Sequence, residues 1–261
     1  MTVSQKKFFS LGLALALLAG TQGGCPVWQD QDTPVQEFQR VEAATKAKYY
    51  VYVPSDYSGD RLWPLVVTLH GTHGFDSAKA QVREWKALAE TRGFIVLAPH
   101  LDSPQGILPV LRSARLRALE KDEKRVLAAM ADVKKLYSVD EKAVMITGFS
   151  AGGYPLYFIA LRHPDLFNAM VPRACNCDLE IVKTIPVTES IRRMPILIFF
   201  SKTGISPVYS KFSVIAKESW AAFRYLRENG CERAKIKAVS GGHHRRPDVA
   251  YGFWRRSPRN P

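Results

Sequence analysis

KAVMITGFSAGGYPL, residues 142–156, passes from a short apolar run into a glycine-flanked serine and then into a helical pattern. Residues 143–147 are the kind of run used by a strand buried on both faces of a parallel sheet. Gly148-Phe149-Ser150-Ala151-Gly152-Gly153 follows at once. Gly-x-Ser-x-Gly has chemical weight when it joins a strand to a helix, as it does here. The reason is steric. A serine on so sharp a turn projects its Oγ above the sheet, and the turn leaves room only for small residues two before and two after it. Gly148 and Gly152 hold those positions, and Ala151 and Gly153 keep the helix entrance open. Ser150 is the candidate nucleophile.

Outward from this elbow, strands and helices alternate. Residues 48–54 are rich in β-formers and end at Pro54, and residues 55–61 read as a turn. Residues 64–69 form a more apolar strand that runs into His70-Gly71-Thr72-His73-Gly74. Ser77 is placed to cap a helix over 78–92 that Gly93 ends. A strand over 94–99, an irregular loop over 101–109 and a long amphipathic helix over 115–137 lead to Asp140, which reads as the start of the turn into the elbow strand. Beyond the elbow come a helix over 154–162 that His163 closes, a strand over 167–174 and a long insertion over 175–193. A strand over 195–200, a helix over 213–229 and a strand over 234–239 follow, then Gly241-Gly242-His243-His244 and a last helix to about 254. Such alternation predicts an α/β fold with a mostly parallel central sheet and helices on both faces. Its ligand site belongs at the carboxyl ends of the strands, where every motif above falls.

The chain is 46% hydrophobic over 261 residues, enough for one sizeable core. Lys6 and Lys7, the apolar run 8–19 and the small residues before Cys25 predict a secretory signal over 1–24. Cys25 after Gly24 is similar to a lipoprotein cleavage site, which would attach the chain to a membrane, although Gln22 stands where that pattern has an aliphatic residue. The expected product is exported: periplasmic, held at the cell surface, or secreted. Residues 25–46 read as a polar tether and 47–261 as the catalytic domain. The formal charge of +13 becomes +11 once Lys6 and Lys7 are removed. No basic segment interleaves aromatics, so a nucleic-acid partner is not expected, and the charge is read as a solvated surface. His244-Arg245-Arg246 is placed to border the site as a basic rim suited to an anionic polymer. Export permits a disulfide from Cys231 to Cys175 or Cys177. The Cys175-x-Cys177 spacing with His243 and His244 is not a usual zinc pattern, and no metal is expected.

Taken together, LHGTHG after one strand, GFSAGG after another and GGHH near the C-terminus occur in the order found in the α/β-hydrolase family. Residues 47–257 resemble its small secreted esterases, of the polyhydroxybutyrate-depolymerase and feruloyl-esterase kind. The resemblance implies Ser150 as nucleophile and His243 as the general base that takes its proton, with His244 as the alternative. It implies an oxyanion hole from the N–H of Ala151 and of Thr72, or of His73 since the loop is longer, each donor being worth about 3 kcal/mol. His70 is expected to brace that loop, and no cofactor is implied.

The family's third member, an aspartate after the strand at 195–200, is missing, because Gly204 stands in its place. That acid fixes the imidazole tautomer and is worth about 10⁴ in rate. Asp178, just beyond the preceding strand, is the chosen substitute, with Glu180 behind it; Ser206 or Asn176 would orient the histidine more weakly. The expected function is hydrolysis of carboxylic esters, of polysaccharide or polyester or of small molecules. A hydrolase-derived binding protein with little turnover and a serine peptidase are the alternatives.

Overall fold

Alternating apolar runs and amphipathic helices assemble as the pattern demands. The computed structural model describes residues 37–104, 111–201, 211–240, 242–243 and 245–259. Among these, eight strands form one sheet: β1 (Glu37–Val41), β2 (Lys48–Tyr52), β3 (Trp63–Leu69), β4 (Ile95–Pro99), β5 (Val139–Phe149), β6 (Ala169–Arg173), β7 (Ile196–Ser201) and β8 (Ala234–Val239). Their order is β1-β2-β4-β3-β5-β6-β7-β8. β2 runs antiparallel to both its neighbours, and every pairing from β4 to β8 is parallel.

Among the described residues, seven helices cover the sheet: α1 (Ala78–Arg92), α2 (Arg112–Leu136), α3 (Gly153–Arg162), α4 (Leu179–Val182), α5 (Glu189–Arg193), α6 (Lys211–Glu228) and α7 (Pro247–Trp254). Side chains alternate along each strand and so divide the core in two. Leu65, Val67, Val144 and Ile146 face α2, α3 and α6 through Val126, Leu156 and Ala222. Val66 and Met145 face the other way, onto Val82 and Trp85 of α1 and Trp254 of α7. The α1 boundaries follow from local chemistry: Ser77 accepts from the Ala80 N–H at the start, and Gly93 ends the helix at φ 67°.

Four features differ from expectation. Part of the segment read as tether is β1, which pairs with β2 in register Glu37↔Tyr52. Its mixed sequence suits an edge strand that covers the ladder edge of β2 and meets solvent itself. Asp140 lies inside β5, not before it, and binds the Lys142 N–H (3.1 Å) and Arg259 (2.7 Å). Within the long insertion the chain forms α4 and α5. Finally, Cys175, Cys177 and Cys231 are all buried free thiols, so the disulfide that export would permit is not formed. Cys175 instead donates its S–H to the Gly148 carbonyl (3.1 Å) beneath the elbow, and burial pushes its thiol up to about 12.

Candidate active site

Ser150 leaves β5 and begins a short 3₁₀ turn that continues as α3. Its φ is 54°, in the left-handed region that L-residues avoid, at a cost on the order of 1–3 kcal/mol. Backbone packing around it explains the glycines. A Cβ on Gly148 would lie 2.9 Å from the Gly152 carbonyl oxygen, and one on Gly152 would lie 2.5 Å from that of Leu69 and 2.6 Å from that of His70. A Cβ on Gly153 would overlap the Asn176 carbonyl, a constraint stronger than the sequence pattern alone suggests. The Asn176 N–H closes the far side of the turn on the Ser150 carbonyl (2.9 Å).

The loop after β3 lies directly against this elbow. A Cβ on Gly71 would lie 3.2 Å from the Ser150 Cβ. His70 is buried, with Nδ1–H donating to the Gly71 carbonyl (2.8 Å) and Nε2 accepting from the Leu101 N–H (3.0 Å). Burial lowers its pKa to about 4, so the ring is neutral and braces the loop. Thr72 accepts through its carbonyl from the N–H groups of Phe75 (3.1 Å) and Asp76 (3.0 Å), closing a tight turn. The N–H of His73, the alternative expected oxyanion donor, is taken by the Pro104 carbonyl (3.2 Å). The rings of His70, His73 and His100 cluster at 4.8–5.7 Å. Among the described residues, however, no group of three or more His, Cys, Asp or Glu side chains is set to hold a metal ion.

The turn is held from below by Asp76, which sequence reasoning missed. Its Oδ2 accepts from the Gly71 N–H (2.6 Å) and from Gln81 Nε2 (2.8 Å), and its Oδ1 from the Ser77 N–H (2.8 Å). The one available signal was a carboxylate just after a glycine turn and just before a helix cap.

His243 comes to the elbow from the opposite end of the chain. Its ring packs on that of Phe149, centroid to centroid 4.4 Å, beside the residue that precedes Ser150. His244 lies outside the described residues. The two arginines that follow part company, which corrects the expected basic rim. Arg246 is half-exposed and paired with Asp248 (2.7 Å), while Arg245 turns inward to Asp76 (2.8 Å) and Glu84 (3.1 Å).

The structure does not bring Asp178 to His243. Asp178 caps α4 by accepting from the Ile181 N–H (3.3 Å) and pairs with Arg115 Nε (2.8 Å). A carboxylate immediately before a helix finds the helix N–H groups first, and the Arg115 guanidinium fixes the rest of its geometry. Glu180 is exposed and also pairs with Arg115 (2.7 Å), and Asn176 donates to Glu218 (2.9 Å). Gly204 and Ser206 lie outside the described residues. Asp178→Asn is therefore expected to leave ester turnover within about threefold. It should also lower stability by roughly 1–3 kcal/mol, since asparagine caps as well as aspartate but removes the charged partner of Arg115 Nε, leaving that nearly buried guanidinium only the exposed Glu180 as a carboxylate partner. Urea unfolding beside a kinetic assay checks both halves; a rate loss of several hundredfold would restore Asp178 as the acid.

Comparison with known proteins bears on the fold. The profile of the prolyl oligopeptidase family matches residues 81–196. A probable acetylxylan esterase A from Aspergillus flavus is 30% identical over 131 residues, 50% of this chain and 42% of that protein. A poly(3-hydroxyalkanoate) depolymerase C from Paucimonas lemoignei is 29% identical over 48% of this chain and 30% of its own length. The chain thus matches less than half the length of either relative. Among solved structures, a ferulic acid esterase from Anaeromyces mucronatus superposes with a TM-score of 0.63 at 14% identity, over 86% of this chain and 90% of that one. The sheet order, the elbow and these matches define an α/β-hydrolase fold. Within that fold the chain is similar to the acetylxylan esterase and the poly(3-hydroxyalkanoate) depolymerase named above.

Proposed function

We propose that the protein is a serine esterase that cleaves carboxylic esters through an acyl-enzyme. The observation that carries this reading is Ser150 at φ 54° on a strand-to-helix elbow whose flanking glycines admit no side chain. Strain of this kind is kept where the surrounding structure enforces it, and Ser150 stands at the carboxyl end of β5, where the motif presents its hydroxyl. In the reaction, Ser150 Oγ adds to the ester carbonyl carbon as His243 takes its proton. The oxyanion forms against the N–H groups of Ala151 and Thr72. As the tetrahedral species collapses, the C–O bond to the alcohol breaks and His243 returns the proton to the leaving oxygen. Water then repeats the sequence on the acyl-enzyme, releasing the acid and restoring Ser150.

Acetyl or feruloyl groups on polysaccharide, or a polyester, are the substrates this reading favours, by analogy with the relatives. No metal or organic cofactor enters any step. The test is labelling by a fluorophosphonate probe together with turnover of p-nitrophenyl acetate. Both are expected in the unaltered protein and neither in Ser150→Ala. An unaltered protein that neither labels nor turns over would support a binding protein instead. The prolyl oligopeptidase match gives a second reading as a peptidase, and aminoacyl p-nitroanilides cleaved faster than the acetate ester would favour it.

Export is part of the same proposal, with residues 1–24 as signal, Cys25 as a lipidated first residue and the catalytic domain beyond the tether. Metabolic palmitate incorporation is expected to disappear in Cys25→Ser, and incorporation that persists would refute lipidation at Cys25.

A further inference from the structure

We propose that Arg245 is a positioning residue that locks the loop bearing His243 to the loop forming the oxyanion hole. The proposal rests on reading Ser150 and His243 as nucleophile and base. Arg245 follows His243 by two residues, so whatever fixes Arg245 limits where the imidazole can go. It is fixed at both ends. Its Nη1 donates to Asp76 Oδ1 (2.8 Å) and Glu84 Oε2 (3.1 Å), and its carbonyl accepts from Arg173 Nη1 (3.1 Å).

Each of those partners is itself buried and held. The Arg173 guanidinium, wholly buried at the end of β6, also binds Glu84, Thr147 Oγ1 (3.0 Å), Thr68 Oγ1 (3.1 Å) and Gln81 Oε1 (2.6 Å). Asp76 carries the Gly71 N–H and the Gln81 amide on its other oxygen. Two carboxylates and two guanidiniums thus balance, with hydrogen bonds on every member. That balance is what lets four charged groups stay buried or nearly so without a prohibitive desolvation cost.

A buried ion network often serves stability alone, and its location argues for more here. Its ends fall on the three pieces the reaction must align. Asp76 holds the turn of Thr72, Arg245 holds the loop of His243, and the Arg245 guanidinium lies 4.5 Å over the Phe149 ring. His243 packs on that same ring. Phe149 immediately precedes the nucleophile, so base, clamp and elbow meet on one aromatic side chain. The backbone agrees: Arg246, the next residue, sits at φ 44°, a strained conformation that needs an anchor on one side.

Misplacing a reacting group by about 1 Å costs roughly 10²-fold in rate. Arg245→Met is therefore expected to reduce kcat for p-nitrophenyl acetate, and the rate of fluorophosphonate labelling, by about 10²-fold, with KM changed less than about threefold. Arg245→Lys, which still reaches a carboxylate, should recover at least about tenfold of that loss. Because Arg245→Met leaves two carboxylates facing one guanidinium, the double variant Arg245→Met/Glu84→Gln rebalances the charge. It should regain thermal stability while the rate stays low. A folded Arg245→Met with unchanged kcat, or a double variant that regains stability and rate together, overturns the positioning role. If the unaltered protein fails to label at Ser150, the catalytic reading falls first and this proposal with it.

Discussion

Ser150→Ala, His243→Ala and the double variant are expected to lose nearly the same amount of ester hydrolysis, each by about 10⁴–10⁶ in kcat, in place of the product of two independent losses. A serine hydroxyl attacks only as its proton leaves, so removing either the hydroxyl or the acceptor ends the same step. What survives, on the proposed mechanism, is the residual rate owed to binding and to the oxyanion N–H groups assigned to Ala151 and Thr72. Stability separates this from unfolding. Alanine at 150 keeps a Cβ at a position where serine already tolerates φ 54°, so Ser150→Ala should unfold within about 0.5 kcal/mol of the unaltered protein. His243 rests on Phe149 at 4.4 Å, so its removal loses a ring contact worth about 1 kcal/mol and no strand pairing. Losses that multiply in the double variant would mean that the two residues act separately, and that another group is the base. The size of the single loss is informative too. If His243 is well oriented the effect approaches the upper figure, and a loss of only about 10² would point to a histidine held loosely in the ground state.

How much of this site was legible depends on how far each constraint reaches along the chain. GFSAGG was readable because the demand on Gly148 and Gly152 is local and steric, and a pattern of small residues records it directly. Ser77 and Gly93 were readable for the same reason, since a helix end is closed by residues a few positions away. The clamp was not readable. Asp76 and Arg245 are 169 residues apart, and neither type is unusual for its place. In sequence Arg245 and Arg246 are twins, and only the packing of Glu84 and Asp76 beneath one of them tells the inward-turned cation from the half-exposed one. Asp178 shows the opposite failure. Its position after β6 suited a triad acid, but the helix it begins and the Arg115 beside it claimed both oxygens. The edge strand β1 was hidden because an edge needs no apolar pattern, only a partner whose ladder it can complete.

Gly152→Ala and Gly252→Ala should change stability in opposite directions, although each adds one methyl group to a glycine. At 152 the new Cβ would meet the carbonyl oxygens of Leu69 and His70 at 2.5 and 2.6 Å. Both belong to the backbone where β3 enters the oxyanion loop, so neither can swing aside as a side-chain tip would. Relief requires moving the elbow away from that loop or bending the end of a central strand. Overpacking costs typically 1–3 kcal/mol when side chains can adjust, and with backbone on both sides the loss here should be at least about 3 kcal/mol. For a domain of this size that corresponds to a fall of roughly 6–12 °C in Tm. Whatever fraction still folds should label poorly, because the shift moves Ser150 away from the loop that follows β3. At 252, in α7, the same methyl meets only the tip of Arg256, at 3.8 Å, an ordinary contact with a mobile side chain. Alanine there gains helix propensity and loses nothing, so Gly252→Ala should stabilise the fold by about 0.5–1 kcal/mol with activity unchanged. Calorimetry and fluorophosphonate labelling on the two variants side by side decide the matter. A Gly152→Ala protein that melts and labels like the unaltered chain would show that the elbow is not packed against the loop as described, and the steric argument for Ser150 as nucleophile would lose its foundation.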